Sequence, residues 1–287
     1  MTKLVNCVVF AFFLGLLSAC STQSTSSVAA AKTVASTDGS LIRYGAKGQG
    51  KLTIVFVHCW TCSHDFWTPQ LEYFSRQYQV VWVDLAGHGE SDSRREQYTM
   101  QSFGQDVAAV VQKLGAKQVV LVGHSMGGPV ALEAAKLIGD RVIAIVGVDT
   151  FYTPFIYPTT PEQIEAFAEP FSENYAKASR DMVQSMFTPD VDDATRQSIT
   201  SAFPGADKKV GVSALYEIFY WNAEQGDASR QQFADRLYNI NAAPAGTENP
   251  LHKSVVLVPG VGHFIPQVKP DVFNQILEEI LDRMTTS

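Results

Sequence analysis

The segment 123–128 reads Gly-His-Ser-Met-Gly-Gly and contains a serine that is placed to act as a nucleophile. An apolar, strand-like run at 119–122 precedes it, and a helical pattern at 130–135 follows it. A sharp turn between strand and helix needs small neighbours, and it lifts the serine oxygen above the sheet edge, beside the positive end of the helix. We therefore predict a nucleophile elbow with Ser125 at its tip.

A serine nucleophile also requires an imidazole that accepts its proton and later passes it to the leaving group. His263 lies on a glycine-rich loop directly after the apolar run 254–258, and it is our candidate for this base. His124 is adjacent to the serine and too close in sequence to fold back onto it. A structural or surface role is the alternative for any of the histidines, which also include His58, His64, His88 and His252.

Five short runs rich in Val and Ile, each bounded by turn residues, predict the strands that position these groups: 52–57, 80–83, 119–122, 142–148 and 255–258. Strands without polar alternation suit a parallel sheet that is buried on both faces. Helical patterns occur between them, at 65–76, 100–114 and 127–138, and a final helix begins near Pro270. This order predicts an α/β protein with a mostly parallel, doubly wound sheet.

The segment 150–236 interrupts this alternation, because it lacks a strongly apolar strand and contains several prolines, acidic helical patterns and many aromatic residues. We predict that it is a helical cap inserted into a core formed by 34–149 and 237–287. Its aromatic residues, Phe151 and Trp221 among them, are expected to line an apolar substrate pocket. The alternative is that these rings only hold the cap to the core.

Four segments, taken together, resemble the successive motifs of the α/β-hydrolase fold superfamily. They are His-Cys-Trp at 58–60, Asp-Leu-Ala-Gly-His-Gly-Glu-Ser-Asp at 84–92, the serine elbow, and Gly-Val-Gly-His-Phe at 260–264. The resemblance extends over nearly all of residues 40–284. It is closest to the esterase, lipase and haloperoxidase-like members that carry a cap after the sixth strand. The motifs are specific for the fold and weak for the substrate.

The resemblance leaves the acid of a Ser–His–acid triad open. In most members the acid follows the seventh strand, but here the corresponding run 237–241 is followed by Ala-Ala-Pro. Asn241 could hydrogen-bond an imidazole without stabilising its charge, and Glu248 lies in a loop rich in Gly and Pro. Asp149 instead ends the run 142–148, at a position from which some members draw their acid. We predict Asp149 as the acid; the alternative is that it only caps the entrance to the cap.

An oxyanion hole requires backbone N–H groups aimed at the developing negative charge. Met126, directly after the nucleophile, is expected to supply one, and the resemblance implies Trp60 for the other. The family usually has glycine where Cys59 stands. If the position needs a positive φ, the cysteine would be strained there by about 1–2 kcal/mol. A disulfide between Cys59 and Cys62 could lock this loop; a redox motif or two ordinary thiols are the alternatives.

The start of the chain predicts export. Lys3 precedes an apolar run at 8–17 that is shorter than the roughly 20 residues of a membrane-spanning helix, so residues 1–19 are typical of a signal peptide. The run ends in Leu-Ser-Ala-Cys, which resembles the lipobox of bacterial lipoproteins and predicts lipidation of Cys20. Residues 20–33 predict a flexible tether. We expect a lipid anchor in the outer membrane, facing the periplasm; an ordinary signal peptide is the alternative.

The chain has 22 basic and 29 acidic residues, a formal net charge of −7 and no basic tract, so it lacks the electrostatic footprint of a nucleic-acid-binding protein. The motifs imply hydrolysis of a small-molecule carboxylic ester or lactone through an acyl-serine intermediate, with no metal or organic cofactor. A binding or signalling module that has kept the fold and lost turnover is the alternative. The sequence does not specify the oligomeric state.

Overall fold

The computed structural model describes residues 31–92, 94–203, 205–244, 246–247 and 249–285. Within these residues, eight strands form one sheet in the order β1-β2-β4-β3-β5-β6-β7-β8. The strands are β1 (Lys32–Ala35), β2 (Leu41–Lys47), β3 (Leu52–Val57), β4 (Gln79–Val83), β5 (Gln118–His124), β6 (Val142–Val148), β7 (Leu237–Ala243) and β8 (Val255–Pro259).

The sheet is mostly parallel. β2 is antiparallel to both of its neighbours, β1 and β4, and every other pair of neighbouring strands is parallel. All six residues of β3 are buried, as are six of the seven residues of β5. This burial on both faces explains the continuous apolar runs in the sequence, and it confirms the predicted fold class.

Residues 1–30, which include the predicted signal peptide and Cys20, lie outside the described residues. The prediction that a tether extends to residue 33 is wrong, because β1 begins at Lys32, which pairs with Tyr44 of β2. Backbone hydrogen bonding to the edge of the sheet fixes these residues in place. Among the described residues, no helix is long and apolar enough to cross a membrane.

Helices cover both faces of the sheet. Those of the core are α1 (Thr68–Phe74), α2 (Met100–Leu114), α3 (Gly127–Ile138), α9 (Ile265–Val268) and α10 (Pro270–Thr285). α2 and α3 pack on one face, and α1 and α10 pack on the other. α3 begins at the end of β5 without a side-chain N-cap. The backbone N–H groups of its first turn are therefore not occupied by a capping side chain, and the positive end of the helix lies beside Ser125.

Five helices of the described part lie between β6 and β7, in the segment that the sequence predicts as a cap. They are α4 (Pro161–Glu173), α5 (Tyr175–Ser185), α6 (Asp193–Ser201), α7 (Lys208–Glu224) and α8 (Gly226–Gln232). Polar contacts tie α7 to the core. The indole N–H of Trp221 donates to Glu133 Oε1 at 2.6 Å, and that of Trp60 donates to the Gly211 carbonyl at 2.7 Å. The cap is therefore fixed over the carboxyl edge of the sheet.

Candidate active site

Ser125 lies in the tight turn between β5 and α3, with a φ of 53°. Its N–H donates to the Val148 carbonyl at 2.9 Å. The neighbouring glycines are sterically required. A Cβ on Gly123 would lie 2.1 Å from the Gly127 carbonyl oxygen, and a Cβ on Gly127 would lie 2.4 Å from that of Val57. The turn thus has the geometry that the sequence predicts, with the serine in a conformation that non-glycine residues rarely adopt.

Asp149 is hydrogen-bonded to His263, as the triad prediction requires. Its Oδ2 lies 2.7 Å from His263 Nδ1, and the two side chains are 13% and 16% exposed. Its Oδ1 accepts the Ala242 N–H at 2.8 Å, and its own N–H donates to the Ile240 carbonyl at 2.9 Å. β7 therefore fixes the carboxylate. Because Nδ1 donates to Asp149, Nε2 is the nitrogen of the neutral imidazole that can accept a proton.

The other residues considered for the acid have different places. Asn241 donates its amide N–H to the carbonyls of Phe151 and Tyr152, at 2.7 and 3.3 Å. These carbonyls belong to the segment that leads from Asp149 into the cap, where Tyr152 has a φ of 57°. Asn241 thus holds the backbone that follows the acid. Glu248 lies outside the described residues.

The loop that carries His263 is held by two contacts that the sequence did not reveal. The His263 N–H donates to the Met186 carbonyl of the cap at 3.0 Å. The His263 carbonyl accepts from Nε2 of His124 at 2.9 Å. Burial, and to a smaller extent the nearby His263, lowers the pKa of His124 well below its usual value. The His124 ring is therefore neutral, and it donates from Nε2. His124 therefore anchors the backbone of His263, the candidate base.

The segment after β3 carries the predicted oxyanion donor Trp60, and Met126 precedes the first turn of α3. Trp60 lines the same cavity as Ser125. Cys59 and Cys62 are joined as a disulfide. Cys59 is not among the residues with a positive φ, so the strain considered for it does not arise. The residue in the left-handed region is Thr61, with a φ of 56°, because it is the third residue of the turn that the bridge closes.

A cavity of about 910 Å³ opens between the core and the cap and is lined by Ser125, Asp149 and His263. Most of its wall is apolar. Its aromatic lining residues are Trp60, Phe155, Tyr157, Phe167, Phe171, Phe187 and Phe219. Burial raises the pKa of Tyr157 to about 12, so its hydroxyl stays protonated, and it donates to the Thr150 carbonyl at 3.3 Å.

No Lys or Arg is among the described residues that line this cavity. Asp181 is an acidic residue in the wall besides Asp149, and it lies 2.5 Å from Lys177 on the same helix. The wall therefore provides no cationic side chain for an anionic ligand. This property bears directly on which substrates the cavity can accept.

Two residues expected in the pocket lie elsewhere, and the prediction is wrong for both. Trp221 is 2% exposed and bonds to Glu133 on α3. Phe151 is 3% exposed and lies against the guanidinium of Arg230, whose carbon is 5.7 Å from the ring centre. The Trp221 ring holds the cap to the core, which was the alternative, whereas the contact of Phe151 with Arg230 lies within the cap. Other cap aromatics line the cavity instead.

Comparison with known proteins gives the family. Residues 53–248 match the family model described as the alpha/beta hydrolase fold. The chain is 29% identical over 273 residues to the dihydrolipoyllysine-residue acetyltransferase component of the acetoin cleaving system from Cupriavidus necator, covering 88% of this chain and 70% of that protein. It is 24% identical over 254 residues to 2-(acetamidomethylene)succinate hydrolase from Mesorhizobium japonicum, covering 82% of this chain and 90% of that one.

A solved structure of a thermophilic esterase from Thermogutta terrifontis has the same fold. It superposes with a TM-score of 0.74 at 21% identity, and the match covers 89% of this chain and 99% of the esterase. A likeness at this identity carries the fold alone. Together with the family match over 53–248, it establishes that the chain belongs to the alpha/beta-hydrolase fold family.

Proposed function

We propose that the protein is a serine hydrolase that cleaves carboxylic esters, including lactones, through an acyl-serine intermediate. Ser125 Oγ attacks the carbonyl carbon while His263 Nε2 accepts its proton, and Asp149 stabilises the imidazolium that forms. The N–H groups of Met126 and Trp60 stabilise the oxyanion. The bond to the alcohol oxygen then breaks, and that oxygen takes the proton from His263. A water molecule, deprotonated by the same imidazole, releases the carboxylic acid.

The observation that carries this proposal is the 2.7 Å contact between Asp149 Oδ2 and His263 Nδ1, on the wall of the cavity that Ser125 also lines. A serine alone is a weak nucleophile and needs a base, which in turn needs an orienting acid. The lack of an acid after β7 favoured a non-catalytic binding module. Because Asp149 contacts His263 from the end of β6, an acid is available after all, and catalysis accounts for the site better than binding alone.

Covalent labelling of the serine separates the two functions. A fluorophosphonate probe should label the purified protein at Ser125, and the protein should hydrolyse p-nitrophenyl esters. Ser125→Ala should abolish both while its melting temperature stays close to that of the unaltered protein. Labelling of the alanine variant at an undiminished level would refute the assignment, and a protein that binds esters without turnover would favour the binding module.

The cavity supports an uncharged substrate with a bulky apolar acyl or alcohol part. Its volume of about 910 Å³ lies at the upper end of ordinary small-molecule sites, which are roughly 300–1,000 Å³. A carboxylate on the substrate would lose its hydration without gaining a cationic partner from the described wall. We therefore expect p-nitrophenyl hexanoate to exceed the mono-p-nitrophenyl ester of adipic acid at least about tenfold in kcat/KM, because a buried unpaired charge costs several kcal/mol. Equal kcat/KM values would contradict this.

We further propose that the protein is anchored to the cell envelope by lipid on Cys20, which lies outside the described residues. The proposal is supported by Leu-Ser-Ala-Cys at the end of a short apolar run and by the polar stretch that follows. Intact-mass analysis of protein from its natural membrane should give a chain that begins at Cys20 and carries acyl groups. A mature chain that begins elsewhere and lacks lipid would refute it.

A further inference from the structure

Residues 59–62 form a tight turn beside the cavity. The Cys62 N–H donates to the Cys59 carbonyl at 3.2 Å, and the Cα atoms of the two bridged cysteines lie 5.3 Å apart. Trp60 and Thr61 are the central residues, and the φ of Thr61 is 56°. A turn with positive φ at this position normally carries glycine or asparagine. Threonine is β-branched, and positive φ is among the least favourable conformations for it.

The side chain of Thr61 does not explain its conformation. Asn and Asp can occupy the left-handed region because their side chains form local hydrogen bonds. Thr61 Oγ1 is buried and has no hydrogen-bond partner among the described residues. The conformation must be imposed by the surroundings. The disulfide fixes the two ends of the turn, and the backbone of Gly205 packs so closely that a Cβ there would lie 2.4 Å from the Thr61 carbonyl oxygen.

The cap holds the side chain of Trp60, and the bridged turn holds its backbone. Its indole N–H donates to the Gly211 carbonyl on α7, and its ring makes edge contacts with Phe171 and Tyr175, with ring centres 5.6 and 6.0 Å apart. The cap therefore holds the ring. The backbone of Trp60 lies inside the bridged turn, so the orientation of its N–H depends on that turn staying closed. The bridge and the cap thus act on different parts of the same residue.

We infer that the Cys59–Cys62 bridge positions the Trp60 N–H for catalysis, by closing the turn on a threonine that would otherwise leave the left-handed region. The inference rests on the proposed function, because it assigns this N–H to the oxyanion hole. The bridge acts as a positioning element and not as a redox centre. Both cysteines are 3% exposed and belong to the apolar core, so a protein thiol cannot reach the sulfur atoms.

The test first removes the bridge and then replaces Thr61, the residue that the bridge keeps at a positive φ. In the full chain, Cys59→Ala with Cys62→Ala should lower kcat for p-nitrophenyl hexanoate about ten- to hundredfold, because loss of a whole oxyanion donor costs about 10²–10³ and a misaimed donor loses less. KM should change less than about threefold, since the cap still holds the Trp60 ring. Adding Thr61→Gly should return kcat to within about threefold of the bridged protein, because glycine adopts positive φ freely.

The outcomes separate this inference from the proposed function. An unaltered protein that neither reacts with a fluorophosphonate nor turns over esters refutes both. An active unaltered protein whose alanine pair keeps its kcat overturns the inference alone. A fall in kcat that Thr61→Gly does not reverse also overturns it, because the bridge would then act through overall stability, which melting temperatures of all variants report.

The comparison can also be made without the alanine pair, should that variant fail to fold. The unaltered protein and Thr61→Gly are both folded with the bridge intact and then reduced with a phosphine, and thiol titration verifies the reduction. Turnover should fall in the unaltered protein and persist in Thr61→Gly. Equal losses in the two proteins would overturn the inference.

Discussion

Exchange of Asp149 for asparagine tests the catalytic proposal at its most specific point. The Ala242 N–H donates to Asp149 Oδ1 at 2.8 Å, and a donor of this kind requires an oxygen opposite it. The asparagine therefore keeps its carbonyl oxygen there and turns its NH2 group toward His263. His263 Nδ1 must then accept a hydrogen bond, so the ring proton moves to Nε2. The base is left in the tautomer that cannot accept the Ser125 proton.

The expected loss is large because two effects act together. Asp149→Asn fixes the wrong tautomer and removes the negative charge that stabilises the imidazolium, and the side chain is only 13% exposed, so solvent screens that charge little. The equivalent substitution in a serine protease lowers kcat about 10⁴-fold. We expect a fall of about 10³–10⁴ here, which corresponds to about 4–5.5 kcal/mol in the activation barrier.

The assay is kcat for p-nitrophenyl hexanoate, measured beside the melting temperature. The melting temperature of Asp149→Asn should change little, because the bond from Ala242 is kept. Glu248→Gln, at the other acidic position that the sequence left open, should reduce kcat only mildly. Nearly full activity of Asp149→Asn would refute the reasoning and indicate that the acid lies elsewhere or that Ser125 and His263 work as a dyad.

Three further variants test other contacts. His124→Phe removes the donor that holds the His263 carbonyl at 2.9 Å, so kcat should fall about tenfold and stability by about 1–3 kcal/mol; an unchanged kcat would show that the anchor is dispensable. Trp221→Phe deletes the bond to Glu133 and should lower the free energy of unfolding in urea by about 1–3 kcal/mol, with acyl-chain preference unchanged, since Trp221 does not line the cavity. Burial, and to a smaller extent the nearby His58, lowers the pKa of His88 from 6.5 to about 3. Between these two pH values, the unfolded chain binds a proton at His88 that the folded protein does not bind. Protonation of His88 in the unfolded chain should therefore lower the free energy of unfolding by about 1.4 kcal/mol per pH unit as the pH falls through this range. His88→Phe should remove that contribution from the pH dependence of the free energy, measured by urea unfolding at several pH values; the same pH dependence in both proteins would contradict the burial of a neutral ring.

The sequence alone predicted the bounds of those strands and helices that local residue patterns specify. β3 and β6 have the predicted bounds, because a strand buried on both faces must be a continuous apolar run. α2 and α3 also have the predicted bounds, and the elbow followed from glycines that a turn of a few residues requires. β1 and β2 escaped prediction because β1 is mostly exposed and β2 is only partly buried, so neither forms a continuous apolar run.

The tertiary structure decided between the candidate acids and set the distances between the groups. Asp149 and His263 are 114 residues apart in sequence, and they come into contact because parallel strands bring their carboxyl ends to one edge of the sheet. On α7, Phe219 lines the cavity while Trp221, two positions later, bonds to α3. Residues at this spacing point to nearly opposite sides of a helix, and which side faces the cavity depends on how the whole cap packs on the core. The sequence determined the chemical groups and the elements that carry them, whereas their distances depend on the packing of segments remote from one another in the chain.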